Sequence, residues 1–452
     1  MPKVMFLPEG KDVDLEAGIT IMEAAEKASV FINSLCGGNG VCGKCRVQVK
    51  NGKVRADKNS ISYLSKEEIK DGYILACQTT ISDDMEILIP PESRLESEQI
   101  LMDEPDVDYS QPEKHYVTRV PDDPLTLFEP LTQKIYLELD EPSSQDNMGD
   151  AERIMGGLRQ ETDYQSFDIT LGCLRSLATV LRENNWKVTV TIARYCDQWR
   201  ITDIEAGNTS HNNYGLAIDI GTTTVVVQLV HMKSGNVVSV EGSHNLQARY
   251  GEDVISRMIY ACSRDGLNPL HQAVIGNINK LIETLAHEKQ IDKENITSIV
   301  AAGNTTMSHL LLSLMPCSIR LDPYVPTARN FPQVRAGELG IDIKPEGMVE
   351  TIACASSYVG GDIVAGIIAC GIADRPEIKV LIDIGTNGEI VVGNNEWLVC
   401  CSASAGPAFE GGGTTSGMRA MRGAIERIKI ENRKVDYQTI GKAKPIGICG
   451  SG

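Results

Sequence analysis

The chain has 452 residues, 42% apolar and 23% charged, an ordinary globular composition with length for about three domains. A formal net charge of −18 argues against a nucleic-acid partner, which demands clustered Lys and Arg. No apolar run reaches the ~18 residues of a membrane span, and the start Met-Pro-Lys-Val-Met-Phe lacks a signal-peptide core, so a cytoplasmic protein without membrane contact is expected.

In chain order, Val4 to Leu7 and Val13 to Leu15 read as short strands around the turn Pro8-Glu9-Gly10. Thr20-Ile-Met-Glu23 is a capping box opening a helix that buries Ile21, Ala24, Ala25 and Ala28. Next comes Cys36-Gly-Gly-Asn-Gly-Val-Cys42-Gly-Lys-Cys45, with a fourth cysteine, Cys77, 32 positions after Cys45. Three thiolates from one loop and one from far away is the ligand pattern of a [2Fe-2S] centre. Gly37, Gly38, Gly40 and Gly43 suit a loop that wraps a cluster, visits positive φ and turns amides toward sulfur. The rival is a structural zinc site, which usually brings two close C-x-x-C pairs, whereas here there is one close pair and two singles. Strand signals return at Val47 to Val49 and Met85 to Ile89. Residues 1–92 thus resemble the β-grasp [2Fe-2S] ferredoxins, and the five-residue first gap resembles the adrenodoxin branch.

Residues 90 to 130 hold seven of the nineteen prolines, and residues 91 to 170 carry 20 acidic against 6 basic residues, a local net of −14. The stretch 93–130 is expected to be an acidic, semi-stiff linker. Its acids form a solvated face or a docking surface for a basic patch. From 131 to 207 a small α/β domain is expected. Its strands are Lys134 to Leu139, Lys187 to Ile192 and Trp199 to Ile204; its helices lie near Ala151 to Leu158 and Leu171 to Arg182. The second helix would place Leu171, Leu174, Leu177, Ala178 and Leu181 on one face. The cysteines outside the first module, among them Cys173, Cys196, Cys262, Cys370, Cys400 and Cys401, are expected to be reduced, buried and hydrophobic in role.

Leu216-Ala-Ile-Asp219-Ile-Gly221-Thr222-Thr223-Thr224 sets an apolar strand ending in an acid before a small-residue turn and a second strand. The phrase recurs as Val380-Leu-Ile-Asp383-Ile-Gly385-Thr386-Asn387-Gly388, 164 residues later, which indicates internal duplication of a unit within 215–452. Such turns bind phosphate: Gly221 and Gly385 permit close backbone approach, amides and the Thr hydroxyls donate to phosphate oxygens, and Asp219 and Asp383 can hold Mg²⁺ through water.

On these residues the segment resembles the ATPase superfamily of acetate and sugar kinases, heat-shock chaperones and actin. That resemblance implies duplicated RNase H-like lobes closing over ATP, with the two turns as phosphate loops. Ala302 to Met307 and Val359-Gly360-Gly361-Asp362 would lie near the lobe junction, and Asp362 would orient the attacking water or serve only as a turn aspartate. Gly447 to Gly452, including Gly450, resembles the start of the adenosine loop; such a fold continues beyond it, so the second lobe is expected to be incomplete.

The whole is an α+β multidomain chain in which a ferredoxin module, linker, small α/β domain and duplicated ATPase follow one another. That order resembles the reductive activators of corrinoid-dependent enzymes. The resemblance implies ATP-dependent return of Co(II) corrinoid to Co(I), with Cys36, Cys42, Cys45 and Cys77 on the cluster. It also implies a corrinoid protein or corrinoid-dependent methyltransferase as partner and a low-potential donor such as reduced ferredoxin, homodimerisation being left open. Two other classes remain at this level: an activator of a radical dehydratase, and a non-catalytic redox sensor or scaffold.

Overall fold

The computed structural model describes residues 2–15, 18–28, 30, 32, 40, 43, 45–52, 58–90, 93, 130–195, 198–251, 253–263, 265–385, 387–404, 416–418, 423–431 and 434–449. The expected ligands Cys36 and Cys42, the turn residue Thr386, the adenosine-loop residue Gly450, and Cys196 lie outside them, as does most of the expected linker.

Near the amino terminus, β1 (Lys3–Leu7), β2 (Lys11–Asp14), β3 (Arg46–Asn51), β4 (Tyr73–Leu75) and β5 (Met85–Leu88) form one sheet in the order β2-β1-β5-β3-β4, with β1 and β5 parallel. Helix α1 (Ile21–Lys27) packs on it through Ile21, Ala24 and Ala25, all buried. Its capping box forms as the spacing requires: the Thr20 amide donates to Glu23 at 2.7 Å and the Glu23 amide to the Thr20 hydroxyl at 3.2 Å. Two short helices, α2 (Lys58–Tyr63) and α3 (Lys66–Lys70), add to this unit; neither shows an apolar period, and neither was expected.

A second sheet, β6-β8-β9-β7, is built from β6 (Thr132–Glu138), β7 (Phe167–Ile169), β8 (Lys187–Tyr195) and β9 (Gln198–Ala206), with α4 (Asp150–Glu161) and α5 (Leu171–Glu183) packed against it. The buried face of α5 is Cys173, Leu177 and Leu181 at i, i+4 and i+8, whereas Leu171, Leu174 and Ala178 face solvent. The expected stripe is offset because leucine outweighs cysteine in any hydropathy count, although a reduced cysteine packs as a small hydrophobe.

The next sheet explains the first glycine turn. Strands β10 (Tyr214–Ile220), β11 (Thr224–His231), β12 (Asn236–His244), β13 (Ile296–Gly303), β14 (Val334–Arg335) and β15 (Met348–Thr351) run in the order β12-β11-β10-β13-β15-β14. The first three are antiparallel, β13 joins β10 in parallel and β15 joins β13 in parallel. Helices α6 (Val254–Ala261), α7 (Leu267–Lys289), α8 (Thr305–Leu311) and α9 (Ala336–Leu339) accompany it. Leu270, Val274, Ile278, Ile282 and Leu285 of α7 are fully buried against this sheet, each contributing on the order of 1.5–3 kcal/mol. Because β10 and β13 are parallel and Ile220 pairs with Gly303, the turn after β10 and the start of α8 emerge at the same edge.

Helix α10 (Gly361–Ala369) leads into the second turn, carried by β16 (Lys379–Ile384) and β17 (Asn387–Gly393) with β18 (Leu398–Ser404), again an antiparallel meander. One face covers Val359 and Ile363 through Val391. On the other, Val380, Ile382, Ile384 and Val399 are each more than half exposed. A last sheet joins β19 (Gly417–Met418), β20 (Ala424–Glu431), β21 (Lys434–Thr439) and β22 (Gly447–Cys449).

The cysteines depart from the expectation of uniformly reduced core thiols. Cys173, Cys354 and Cys449 are buried and outside any disulfide, but Cys262, capping α6, and Cys317 are joined in a disulfide with Cα atoms 5.8 Å apart, and Cys370, Cys400 and Cys401 are exposed. The reason is tertiary: α6 abuts the 3₁₀ turn that starts at Cys317, while the latter three lie around the partly bare β16–β18 sheet.

The sheet of β6–β9 meets the larger one through buried polar groups. Lys134, its side chain wholly buried, donates to Glu205 at 2.9 Å and to Asn295 at 3.0 Å. Lys344 pairs with Asp203 at 2.5 Å, and the hydroxyls of Thr132 and Thr297 lie 2.6 Å apart. Burial works to raise the Glu205 carboxyl, but hydrogen bonds from Thr209 and Lys134 outweigh it and hold it below the usual range.

Candidate functional site

Two sites emerge. In the first, the Cys45 and Cys77 sulfurs, both buried, lie 3.2 Å apart, and the Ala76 amide donates to the Cys45 carbonyl at 2.8 Å. The Cys45 hydrogen bond draws the Cys77 thiol down to about 7 against the opposing effect of burial, helped by Gln78 and the Gly40 amide. Gly40 and Gly43 take positive φ, +73° and +67°, and a Cβ on Gly43 would stand 2.8 Å from Tyr63 Cβ. Arg46 anchors this loop: its Nε donates to the Gly43 carbonyl at 3.0 Å while Nη1 is held by Glu68 at 2.7 Å. Converging thiols, with that of Cys77 lowered, an amide donor and positive-φ glycines fit a thiolate-held iron–sulfur cluster.

The second site is a cavity of about 300 Å³ at the shared edge of the two hairpins. Asp219, Gly221, Thr222, Thr223 and Thr224 line it from the first turn, and Asp383, Gly385, Asn387 and Glu389 from the second. Asp362 lines it from α10, so three aspartates from separate elements share one space with Glu389. Gly388 sits within β17 and is not among the lining residues.

The two turns are not equivalent. A Cβ on Gly221 would stand 2.8 Å from the Thr224 carbonyl oxygen, whereas one on Gly385 meets nothing nearer than 3.7 Å. Close backbone approach therefore requires glycine only in the first. The same packing explains Gly360, whose Cβ would lie 2.3 Å from Asn304 Cα: the turn before α10 is pressed onto the end of β13, which delivers Asp362 to the cavity.

Burial in this cleft, then the charges of Asp362 and Asp383, push Asp219 up to about 6. Asp362 is likewise raised, chiefly by burial, although its Oδ1 accepts the Ile363 amide at 2.8 Å; it is at once a helix-turn aspartate and a cavity wall. Glu389 is raised by burial and by Asp362 and Asp383, opposed by a 2.8 Å hydrogen bond from Ser402. Mutually repelling carboxylates beside the two glycine turns fit a hydrated divalent cation, which typically takes one or two carboxylates and a substrate's phosphates.

Sequence reasoning gave no role to Glu389, Ser357 and Tyr358, which also line the cavity, and placed Asn304 and Thr306, two further lining residues, only through the resemblance of 302–307 to a lobe-junction segment. Glu389, which directly follows Gly388 at the end of the repeated phrase, stands close enough to that motif to be found from it; Asn304 and Thr306 reach the cavity through the parallel pairing of β10 with β13.

Family comparisons match four consecutive segments: a 2Fe-2S iron-sulfur cluster binding domain over 6–82, the RACo linker region over 122–211, the RACo middle region over 214–375, and the C-terminal domain of RACo, the ASKHA domain, over 377–452. The corrinoid activation enzyme RamQ of Eubacterium limosum is 30% identical over 454 residues, covering 100% of this chain and 69% of that protein. A component of the Na(+)-translocating NADH-quinone reductase of Haemophilus influenzae (strain PittEE) is 40% identical over 82 residues, 18% of this chain and 20% of its own. A solved reductive activator for corrinoid, iron-sulfur protein is 42% identical with a TM-score of 0.67, covering 100% of this chain and 71% of that one. No helix among the described residues is long and apolar enough to cross a membrane. With an iron–sulfur domain followed by an ASKHA domain and full-length likeness to two such activators, the chain belongs to the family of reductive activators of corrinoid-dependent proteins.

Proposed function

We propose that the chain serves the ATP-dependent reduction of a protein-bound corrinoid from Co(II) to Co(I), one electron per event, drawn from a low-potential donor such as reduced ferredoxin. The partner is a corrinoid protein or corrinoid-dependent methyltransferase. The observation that carries this reading is the meeting of the two repeated turns, with Asp219, Asp383 and Asp362, around one cavity in a chain that also presents paired cysteines.

A [2Fe-2S] cluster held by Cys36, Cys42, Cys45 and Cys77 supplies a one-electron carrier. Arg46 and the glycines shape the loop that would hold it. Around the cavity, Gly221, Thr222, Thr223 and Thr224 on one side and Gly385, Thr386 and Asn387 on the other are assigned to the phosphates of ATP, with Gly450 near the adenosine. Asp219 and Asp383 are assigned to hydrated Mg²⁺, and Asp362 to the attacking water.

Nucleotide is needed because the electron must climb. Plant-type [2Fe-2S] centres lie near about −400 mV, Co(I) requires a stronger reductant, and each ~100 mV costs ~2.3 kcal/mol per electron. A ligand that binds one of two states ~10⁴-fold better moves their balance by ~5.5 kcal/mol, enough to span a gap of that size.

The test mixes reduced protein with a Co(II) corrinoid protein, with and without ATP, and follows Co(I) absorbance. ATP-dependent Co(I) formation that disappears in Asp219→Ala supports the reading; formation that is indifferent to both overturns it.

A further inference from the structure

We infer that Asn245 and Arg257 clamp the first phosphate turn from behind, with Asn304 steadying it from the cavity wall, and that these three positioning residues so aim its amides into the cavity. The inference deepens the nucleotide reading of that cavity and rests on it.

The carbonyls of three successive turn residues are all engaged by the protein. Asn245 Nδ2 donates to the Gly221 carbonyl at 2.8 Å, Arg257 Nη2 to the Thr222 carbonyl at 2.6 Å, and the Asn245 amide to the Thr223 carbonyl at 2.8 Å. In a planar trans peptide the C=O of one residue and the N–H of the next point in opposite directions. Fixing these three carbonyls therefore fixes the amides of Thr222, Thr223 and Thr224 on the other side of their peptide planes. Asn304 Nδ2 donates to the Thr222 hydroxyl at 3.0 Å and sets that side chain as well.

The clamp is rigid. Asn245 and Arg257 are fully buried. Asn245 Oδ1 caps the 3₁₀ turn 246–250 through the Gln247 amide at 3.0 Å, Arg257 Nε is held by the Gly251 carbonyl at 2.7 Å, and Asn304 Oδ1 caps α8 through the Met307 amide at 3.0 Å. Each clamp residue is thus anchored to an element of the lobe before it touches the turn. A guanidinium cannot be deprotonated, so Arg257 also keeps a fixed positive charge behind a loop meant for anions and polarises the Thr222–Thr223 peptide toward donation. Preorganised donors of this kind need no reorganisation when charge arrives.

The experiment uses the full chain, Arg257→Lys, which keeps the charge and loses the fork, and Asn245→Ser, which keeps a capping hydroxyl but falls short of Gly221. Titration calorimetry with Mg-ATP and with Mg-pyrophosphate is read beside amide hydrogen exchange and the melting temperature. The expected result is binding weakened about 10- to 100-fold for both probes, with faster exchange confined to residues 221–224. Unchanged affinity in both variants overturns the clamp and leaves the cavity's nucleotide reading standing. Weakening accompanied by faster exchange throughout the lobe overturns it too, because that is loss of structure and not of aim. If the unaltered chain binds neither probe, the nucleotide reading falls and the clamp falls with it.

Discussion

The charge of Asp362, carried in by α10, reaches Asp219 at the end of β10 and adds to the burial that raises that carboxyl to about 6. Under the proposed function, a cation at Asp219 would therefore compete with a proton near neutrality. The affinity for Mg-nucleotide is expected to be flat above pH 7 and to fall about tenfold per unit well below pH 6, as calorimetry in matched buffers would show.

The same carboxylate costs the apo fold. A raised carboxyl pKa means that the native state holds a proton the unfolded chain has lost, so its stabilising effect is present below the unfolded value and disappears as pH rises through about 6. At pH 7.5 Asp219→Asn should melt higher than the unaltered chain while losing Mg-nucleotide binding. A lower melting point would contradict the electrostatic account.

The two turns should answer alanine differently. Gly221→Ala and Gly360→Ala meet backbone atoms at 2.8 and 2.3 Å and should destabilise by about 1–3 kcal/mol, whereas Gly385→Ala has room and should fold as before. Denaturant melts of the three variants decide the point.

Much of this was legible locally. The capping box at Thr20 and the hairpin strands around both glycine turns are written within a few residues or as a repeat, and the approach of Cys45 and Cys77 follows from a ligand pattern that spans 32 positions. What escaped depends on chain segments meeting. Asn245 and Arg257 belong to no motif, and their role appears only where the 3₁₀ turn 246–250 and α6 pack behind Gly221. Helices α2 and α3 escaped because neither sequence carries an apolar period, and the Cys262–Cys317 bond because 55 residues separate its ends.

Between the two central sheets, Lys134→Met should cost about 1–3 kcal/mol, since it leaves the Glu205 carboxylate in a poorly hydrated seam with only the Thr209 hydroxyl and, at 3.8 Å, Lys344 to answer it. Lys134→Met with Glu205→Leu should recover much of that loss. Because Glu205 is held low, its contribution persists above the usual carboxyl range and is lost as pH falls through its native value, so the seam should loosen in acid. Chemical denaturation of the single and double variants at two pH values measures both effects.

His309 is fully buried, its Nδ1 donating to the Thr305 carbonyl at 2.7 Å and its Nε2 accepting the Thr327 amide at 3.1 Å. Burial lowers its pKa, so the native ring stays neutral and its stabilising effect is lost as pH drops below the unfolded value, about 6.5. A melting curve that steepens between pH 6.5 and 5, and flattens in His309→Gln, is the expected outcome.

The bare flank of the β16–β18 meander also has a practical side. Val380, Ile382, Ile384 and Val399 form a greasy strip open to water, larger in kind than scattered surface aliphatics. Purified material of these 452 residues should brighten an environment-sensitive dye such as ANS and stick to hydrophobic resin, and mild detergent should keep it from clumping on concentration.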